Sequence, residues 1–185
     1  MELFDLCDAQ RRLVGRTIAR GEKLPRGLYH QVVHVAIFHP DGRMLIQHRQ
    51  TTKRGWPDLW DISAGGAVQA GEDSPTAAMR ETREELGLQV DLTGRRPAMT
   101  MCMSASFDDI YLLEMPVELA QLQLQPEEVQ DAALATEQEI LRMIRNGRFV
   151  PYRSSYIRLL FDLNRTGRLA GPLRRPAGHV APTEG

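Results

Sequence analysis

The chain has 185 residues, enough for one domain with a real core and tight for two. Its 23 lysines and arginines nearly balance 24 aspartates and glutamates, and the formal net charge of −1 excludes a global pull toward nucleic acid or an acidic membrane. Cys7 and Cys102 stand far apart with no paired spacing and read as free thiols in a reducing compartment. "MELFDLCDAQ" has no basic-then-apolar leader pattern and no apolar run is long enough to span a bilayer, so the expected location is cytoplasmic.

In chain order, "LFDLCD" is a short strand candidate, followed by a polar connection, "AQRRLVGRTIARGEKLPRG". "HQVVHVAIF" (30–38), rich in Val and Ile, reads as a strand; "HPDG" signals a turn, and "RMLIQHRQ" (43–50) returns as its partner. After a loop with two tryptophans, a strand runs into Gly65-Gly66. The clearest helix follows, with Ser74 as its cap, Pro75 in the first turn, and Gly87 closing it after Leu86. Strands are expected around 97–104, 107–115 and 128–134. "TEQEILRMIRNG" carries a capping box, Thr136 with Glu139, and closes on Gly147. In "SSYIRLLFDLNRTG", Ile157, Leu160 and Phe161 share one face of a last helix. Residues 1–165 are expected to form a single domain and 166–185, rich in Pro, Gly and Arg, a flexible tail. Strands interleaved with helices and hairpins imply a mixed α/β sandwich.

On a helical wheel the stretch 74–86 gathers Ala78, Met79, Thr82 and Leu86 on one side, able to pack on a sheet. Glu81, Glu84 and Glu85 fall within an arc of about 100° on the adjacent side. Like charges at this spacing weaken a helix unless something compensates them. A hard divalent cation taking oxygen ligands would do so; a merely solvated acidic face is the alternative. Gly65 and Gly66 allow close backbone approach, and Arg80 can pair with Glu72.

The full arrangement is more specific than the glutamates alone. Gly66, Glu72, Arg80-Glu81, Glu84-Glu85 and Gly87 with Leu88 stand at the spacing of the Nudix box, G-x5-E-x7-R-E-U-x-E-E-x-G-U, with Thr82 as a departure at an apolar position. The chain thus resembles the Nudix family over roughly residues 2–163. The resemblance implies an α/β/α sandwich with a mixed sheet that hydrolyses a diphosphate linked to another group with Mg²⁺ or Mn²⁺. It implies Glu81, Glu84 and Glu85 as metal ligands, joined by the Gly66 carbonyl. The same three glutamates and Arg80 form the catalytic set, with Arg80 and Glu72 fixing the loop. Metal would neutralise the diphosphate and activate a water. Arg49, Lys53 and Arg54 are the candidate substrate-binding group, able to meet phosphates. The expected partner is a small-molecule diphosphate, with no nucleic acid and no membrane; a homodimer through a strand edge or a helix stays open.

"YHQVVHVAIFHPDGRMLIQHRQTTKRGWPDLWDIS" is similar to the isopentenyl diphosphate isomerase branch of that family. That branch needs a cysteine and a metal-binding histidine where this chain has Gly65 and Ala67. Neither can transfer a proton or bind metal through a side chain, so hydrolysis is expected, with isomerisation or non-catalytic nucleotide binding as alternatives. Glu127 and Glu128 are either a distal base or ligand, or solvated loop charges; Asp108 and Asp109 are weaker candidates. Trp56 and Trp60 either stack on a base or pack at the loop–sheet junction. His30 reads as an ordinary strand residue, His34, His39 and His48 form no ligand constellation, and "MTMCMS" is core or pocket wall.

Overall fold

The computed structural model describes residues 2–166. Its first element is a hairpin, β1 (Leu3–Cys7) and β2 (Leu13–Ala19), which pair antiparallel in a two-stranded sheet. β2 lies inside the segment read from sequence as a polar connection. Its first five residues are exposed, Leu13 at 63%, so no buried face imprints an alternation on the sequence. The hairpin turns through Arg11 at φ +63°, and the Arg11 guanidinium clamps both carboxylate oxygens of buried Asp109, which anchors the hairpin to the main sheet.

The main sheet has seven strands: β3 (His30–Phe38), β4 (Met44–Arg49), β5 (Trp60–Ile62), β6 (Ala64–Ala67), β7 (Met99–Cys102), β8 (Ser106–Glu114) and β9 (Val129–Ala135). It is mixed: β3 and β8 are parallel, and every other pairing is antiparallel. β3 meets β4 only at Phe38↔Met44, whereas residues 32–35 of β3 pair with β6. Between these contacts the sheet splits. Ser63, linking β5 to β6, bridges the split: its hydroxyl donates to the Leu45 carbonyl and accepts from the Ile37 N–H.

Alternate residues of β3 feed two cores. Val33, Val35 and Ile37 pack with Ala77, Ala78 and Leu86 of α1 (Ser74–Leu86) on one face. Ala36 and Phe38 pack on the other with Ile140 and Leu141 of α2 (Glu137–Arg145) and with Ile157, Leu160 and Phe161 of α3 (Ser154–Thr166). The result is the expected α/β/α sandwich around a mixed sheet. The tail expected over 166–185 lies, apart from Thr166, outside the described residues. No described helix is long and apolar enough to cross a membrane.

The helix ends follow their local chemistry. Thr136 and Glu139 form the capping box reciprocally. α1 ends at Gly87, whose φ of +71° suits glycine, and a Cβ there would meet Gln123 at 2.6 Å. At its start the cap is Asp73, not Ser74: the Asp73 carboxylate accepts from the Thr76 N–H at 3.0 Å. Ser74 is instead the first helical residue, buried, with its hydroxyl 2.9 Å from that of Tyr111. Thr82 is fully buried, and its hydroxyl donates to the Ala78 carbonyl, so the departure from an apolar residue leaves no unpaired polar group. Asp73→Ala should therefore destabilise the protein by about 1 kcal/mol in urea unfolding, with an unchanged denaturant slope.

Candidate functional site

Glu85 sits at the split in the sheet. One carboxylate oxygen accepts from Gln47 Nε2 of β4 at 2.9 Å and from the Gly65 N–H of β6 at 3.1 Å, so the residue spans the two strands that part there. It is only 2% exposed. Burial, with Glu81 beside it, pushes its carboxyl up to about 7. Glu81 is raised as well, first by burial. The side chain of Glu84 is 43% exposed. The three glutamates thus form a gradient from the sheet interior to the surface, and the wheel arc has a buried end.

Arg80 compensates the repulsion. Its Nε and Nη2 meet the two carboxylate oxygens of Glu72 at 2.8 and 3.0 Å. Its Nη1 donates to Glu81 at 2.8 Å and to Glu84 at 3.1 Å, and Nη2 also reaches the Ala67 carbonyl at 3.2 Å. Burial alone would lower the pKa of this guanidinium; Glu72 and Glu81 outweigh it and raise it. Glu72 in turn accepts the Gln69 N–H, which ties the loop before α1 to the helix. Gly66 completes the packing. A Cβ on it would lie 2.1 Å from Glu81 Oε1, so Glu81 lies where a side chain at 66 would be.

Gly65, Gly66, Arg80, Glu81, Glu84 and Glu85 line one open cavity of about 1090 Å³. It also receives Arg49, Lys53, Arg54 and Trp56 from the loop after β4, Glu127 and Glu128 from the loop before β9, and Tyr152 and Tyr156 from around the start of α3. Two backbone bonds pin the second loop to α1, Gln123 N–H to the Leu86 carbonyl and Gln125 N–H to that of Glu85. The Gln50 N–H and side-chain amide then join the two loops through Glu128 O and Pro126 O.

The three expected phosphate-binding bases share the cavity but differ in what they already hold. Arg49 donates to Asp61 at 3.1 Å and twice to the Gly55 carbonyl, bracing its own loop. Lys53 forms an ion pair with Glu128, and burial lowers its ammonium pKa. Arg54 makes no side-chain hydrogen bond or ion pair among the described residues; it lies against Gly21. Trp56 is exposed at the cavity mouth in a left-handed conformation, φ +51°, while Trp60 stacks on His48 elsewhere. Two pairings escaped the sequence reading, in which Asp108 stood only as a weaker candidate. His34 Nε2 lies 3.4 Å from Asp108 Oδ2, and Tyr152 donates to Asp61 at 2.9 Å; all four line the cavity. The one signal was a histidine breaking an apolar strand, which gains meaning only beside β8.

No three His, Cys, Asp or Glu side chains among the described residues stand as a ready-made metal cluster, and Arg80 engages Glu81 and Glu84. The donor chemistry still suits a hard divalent cation. Glu81 and Glu85 are desolvated, like-charged neighbours, and among the described residues no hydrogen bond engages Glu81 Oε2, Glu84 Oε1 or Glu85 Oε1.

The family described as NUDIX domain matches residues 28–156. An uncharacterized Nudix hydrolase of Listeria monocytogenes is 44% identical over 163 residues, covering 88% of this chain and 95% of its own. An isopentenyl-diphosphate Delta-isomerase of Streptomyces avermitilis is 34% identical over 137 residues, covering 68% of each chain. The crystal structure of DR0079 from Deinococcus radiodurans superposes with a TM-score of 0.69 at 26% identity, covering 90% of this chain and 100% of its own.

Removing the Arg80 charge should leave Glu72 and Glu81 without a counter-ion in a largely buried setting. Arg80→Ala is expected to cost about 3 kcal/mol in urea unfolding, and Arg80→Lys less, because a single ammonium cannot reproduce the two-pronged pair with Glu72.

Proposed function

The chain belongs to the Nudix family and is a hydrolase of that family, and from this premise we propose that it is a metal-dependent diphosphohydrolase. Its substrate is an organic diphosphate, a nucleoside diphosphate derivative among them. The observation that carries this reading is the meeting of desolvated Glu81 and Glu85 with Glu84, Lys53 and Arg54 in a single cavity. Acidic oxygens for a cation and basic groups for phosphate are the two charge types that a diphosphate bridged to metal requires.

Glu81, Glu84 and Glu85, with the Gly66 carbonyl, would hold Mg²⁺ or Mn²⁺. The cation, when bound, neutralises the diphosphate oxygens and lowers the pKa of an attacking water. The remaining work belongs to the chain. Arg80 positions Glu81 and Glu84 and ties them to the Glu72 loop. Gln47 and Gly65 fix the orientation of Glu85. Arg54 stands free to meet a phosphate, and Lys53 can do so by leaving Glu128. Glu128, then released from its ion pair, is placed in the cavity as a candidate base for the water's proton.

The likeness to an isomerase does not extend to this site. Gly65, at the position of that branch's cysteine, has no room for a side chain: a Cβ would lie 2.8 Å from the Val33 carbonyl and 3.4 Å from His34 Nδ1. Ala67 has no donor where the histidine would stand. Carbon acid–base chemistry by that residue pair is therefore absent, and the carboxylate group favours hydrolysis.

With Mg²⁺ or Mn²⁺, a panel of organic diphosphates should release phosphate or a monophosphate, and chelation should stop the release. Glu85→Gln and Glu84→Gln are each expected to lower kcat/KM by about 100-fold or more and to weaken cation uptake in calorimetry. A wild-type protein that takes up neither cation, with or without a diphosphate, would remove the enzymatic reading.

A further inference from the structure

We propose that the cavity end remote from α1 is a recognition site for an uncharged ring that donates hydrogen bonds, so that the protein selects diphosphates carrying a neutral, amine- or hydroxyl-bearing planar group and refuses those carrying a second anion. This rests on the reading of the α1 end as the diphosphate site.

The sheet sets the scale. Ala67 of β6, Val32 of β3, Asp108 of β8 and Met101 of β7 are in register across four neighbouring strands. At about 4.8 Å per strand, Asp108 stands about 10 Å from Ala67 and Met101 about 14 Å. Ala67 adjoins Gly66 and accepts a bond from Arg80. The cavity therefore extends well past the place where a diphosphate would lie, and that length must take whatever the diphosphate carries.

The chemistry changes along this row. The α1 end offers Lys53 and Arg54. The far end offers the Asp108 carboxylate, which faces His34, while Asp61 on β5 is held by Arg49. Arg153 lies only at the exposed rim. The Asp108 carboxylate can accept, and the Tyr156 hydroxyl, buried without a partner among the described residues, can accept or donate. Asp108 faces His34 Nε2 and takes the Ser106 hydroxyl. His34 Nδ1 lies toward Gly65, at the α1 end, so the acceptor at the far end is the Asp108 carboxylate. The walls are Met101, Val150, Tyr152 and Tyr156. Thioether and phenol faces suit a planar group. An acceptor carboxylate combined with flat apolar walls favours a ring bearing N–H or O–H, and Asp108, paired with no arginine or lysine among the described residues, repels an anion.

The test uses three probes with Mg²⁺: para-aminophenethyl diphosphate, para-carboxyphenethyl diphosphate and methyl diphosphate. Wild-type kcat/KM should favour the amino over the carboxy compound by at least about tenfold, and calorimetric Kd values should follow the same order. Asp108→Asn should shrink that ratio to about threefold or less and leave methyl diphosphate turnover unchanged. His34→Gln, as a second variant, should narrow the ratio in the same direction. Equal treatment of the two ring compounds by the wild type, a preference for the carboxylate, or an equal loss on all three probes in both variants overturns the inference. Binding in the expected order without any hydrolysis would instead remove the hydrolase reading and leave the recognition site standing.

Discussion

The Arg80 guanidinium is the contact on which the site depends. One planar fork joins Glu72 in the preceding loop, Glu81 and Glu84 on its own helix, and the Ala67 carbonyl at the end of β6. Without it α1 would carry like charges at i, i+3 and i+4 with no compensation. With it, the repulsion becomes a fixed orientation of loop, helix and strand. A lysine has the charge but not the fork, so the geometry explains why the guanidinium is needed.

The second constraint is the split between β4 and β6. A continuous sheet would bury α1 on one face and leave its carboxylates no route to the other. Here Ser63 and Glu85 satisfy the backbone at the opening, and the glycine pair supplies the space. Glu81 fills the position of a Gly66 side chain, and His34 Nδ1 comes close to that of Gly65. The glutamates of one face and the residues around α3 on the other can then share a cavity. Stability is surrendered locally for this, since burying Glu85 raises its carboxyl and leaves Gln47 Oε1 buried without a partner among the described residues.

How much of this the sequence revealed follows from how local each signal is. The box is written in a single stretch, so its glycines, glutamates and arginine were legible by spacing, as were α1, α2 with its capping box, and β3. β2 left no trace because it has no buried face until Ile18. The cap of α1 was misplaced by one residue because Asp73 and Ser74 are both good caps, and only the burial of Ser74 against Tyr111 decides between them. Arg49, Lys53 and Arg54 read as equivalent bases, yet two of them find acids from distant segments, Asp61 and Glu128, which no local pattern announces. The His34–Asp108 contact depends on the parallel pairing of β3 with β8, a long-range register that composition does not encode.

The same non-local contacts give the cavity its mechanical character. Arg49 holds Gly55 in its own loop and Asp61 on β5, and Asp61 holds Tyr152 ahead of α3. This chain of bonds joins the loop carrying Lys53, Arg54 and Trp56 to the wall opposite it. The loop is also bonded to the 125–128 segment, which is itself bonded to the last turn of α1. Three walls of the cavity are thus linked by direct hydrogen bonds. Asp61, whose carboxylate serves both Arg49 and Tyr152, is the residue common to the basic loop and the approach to α3.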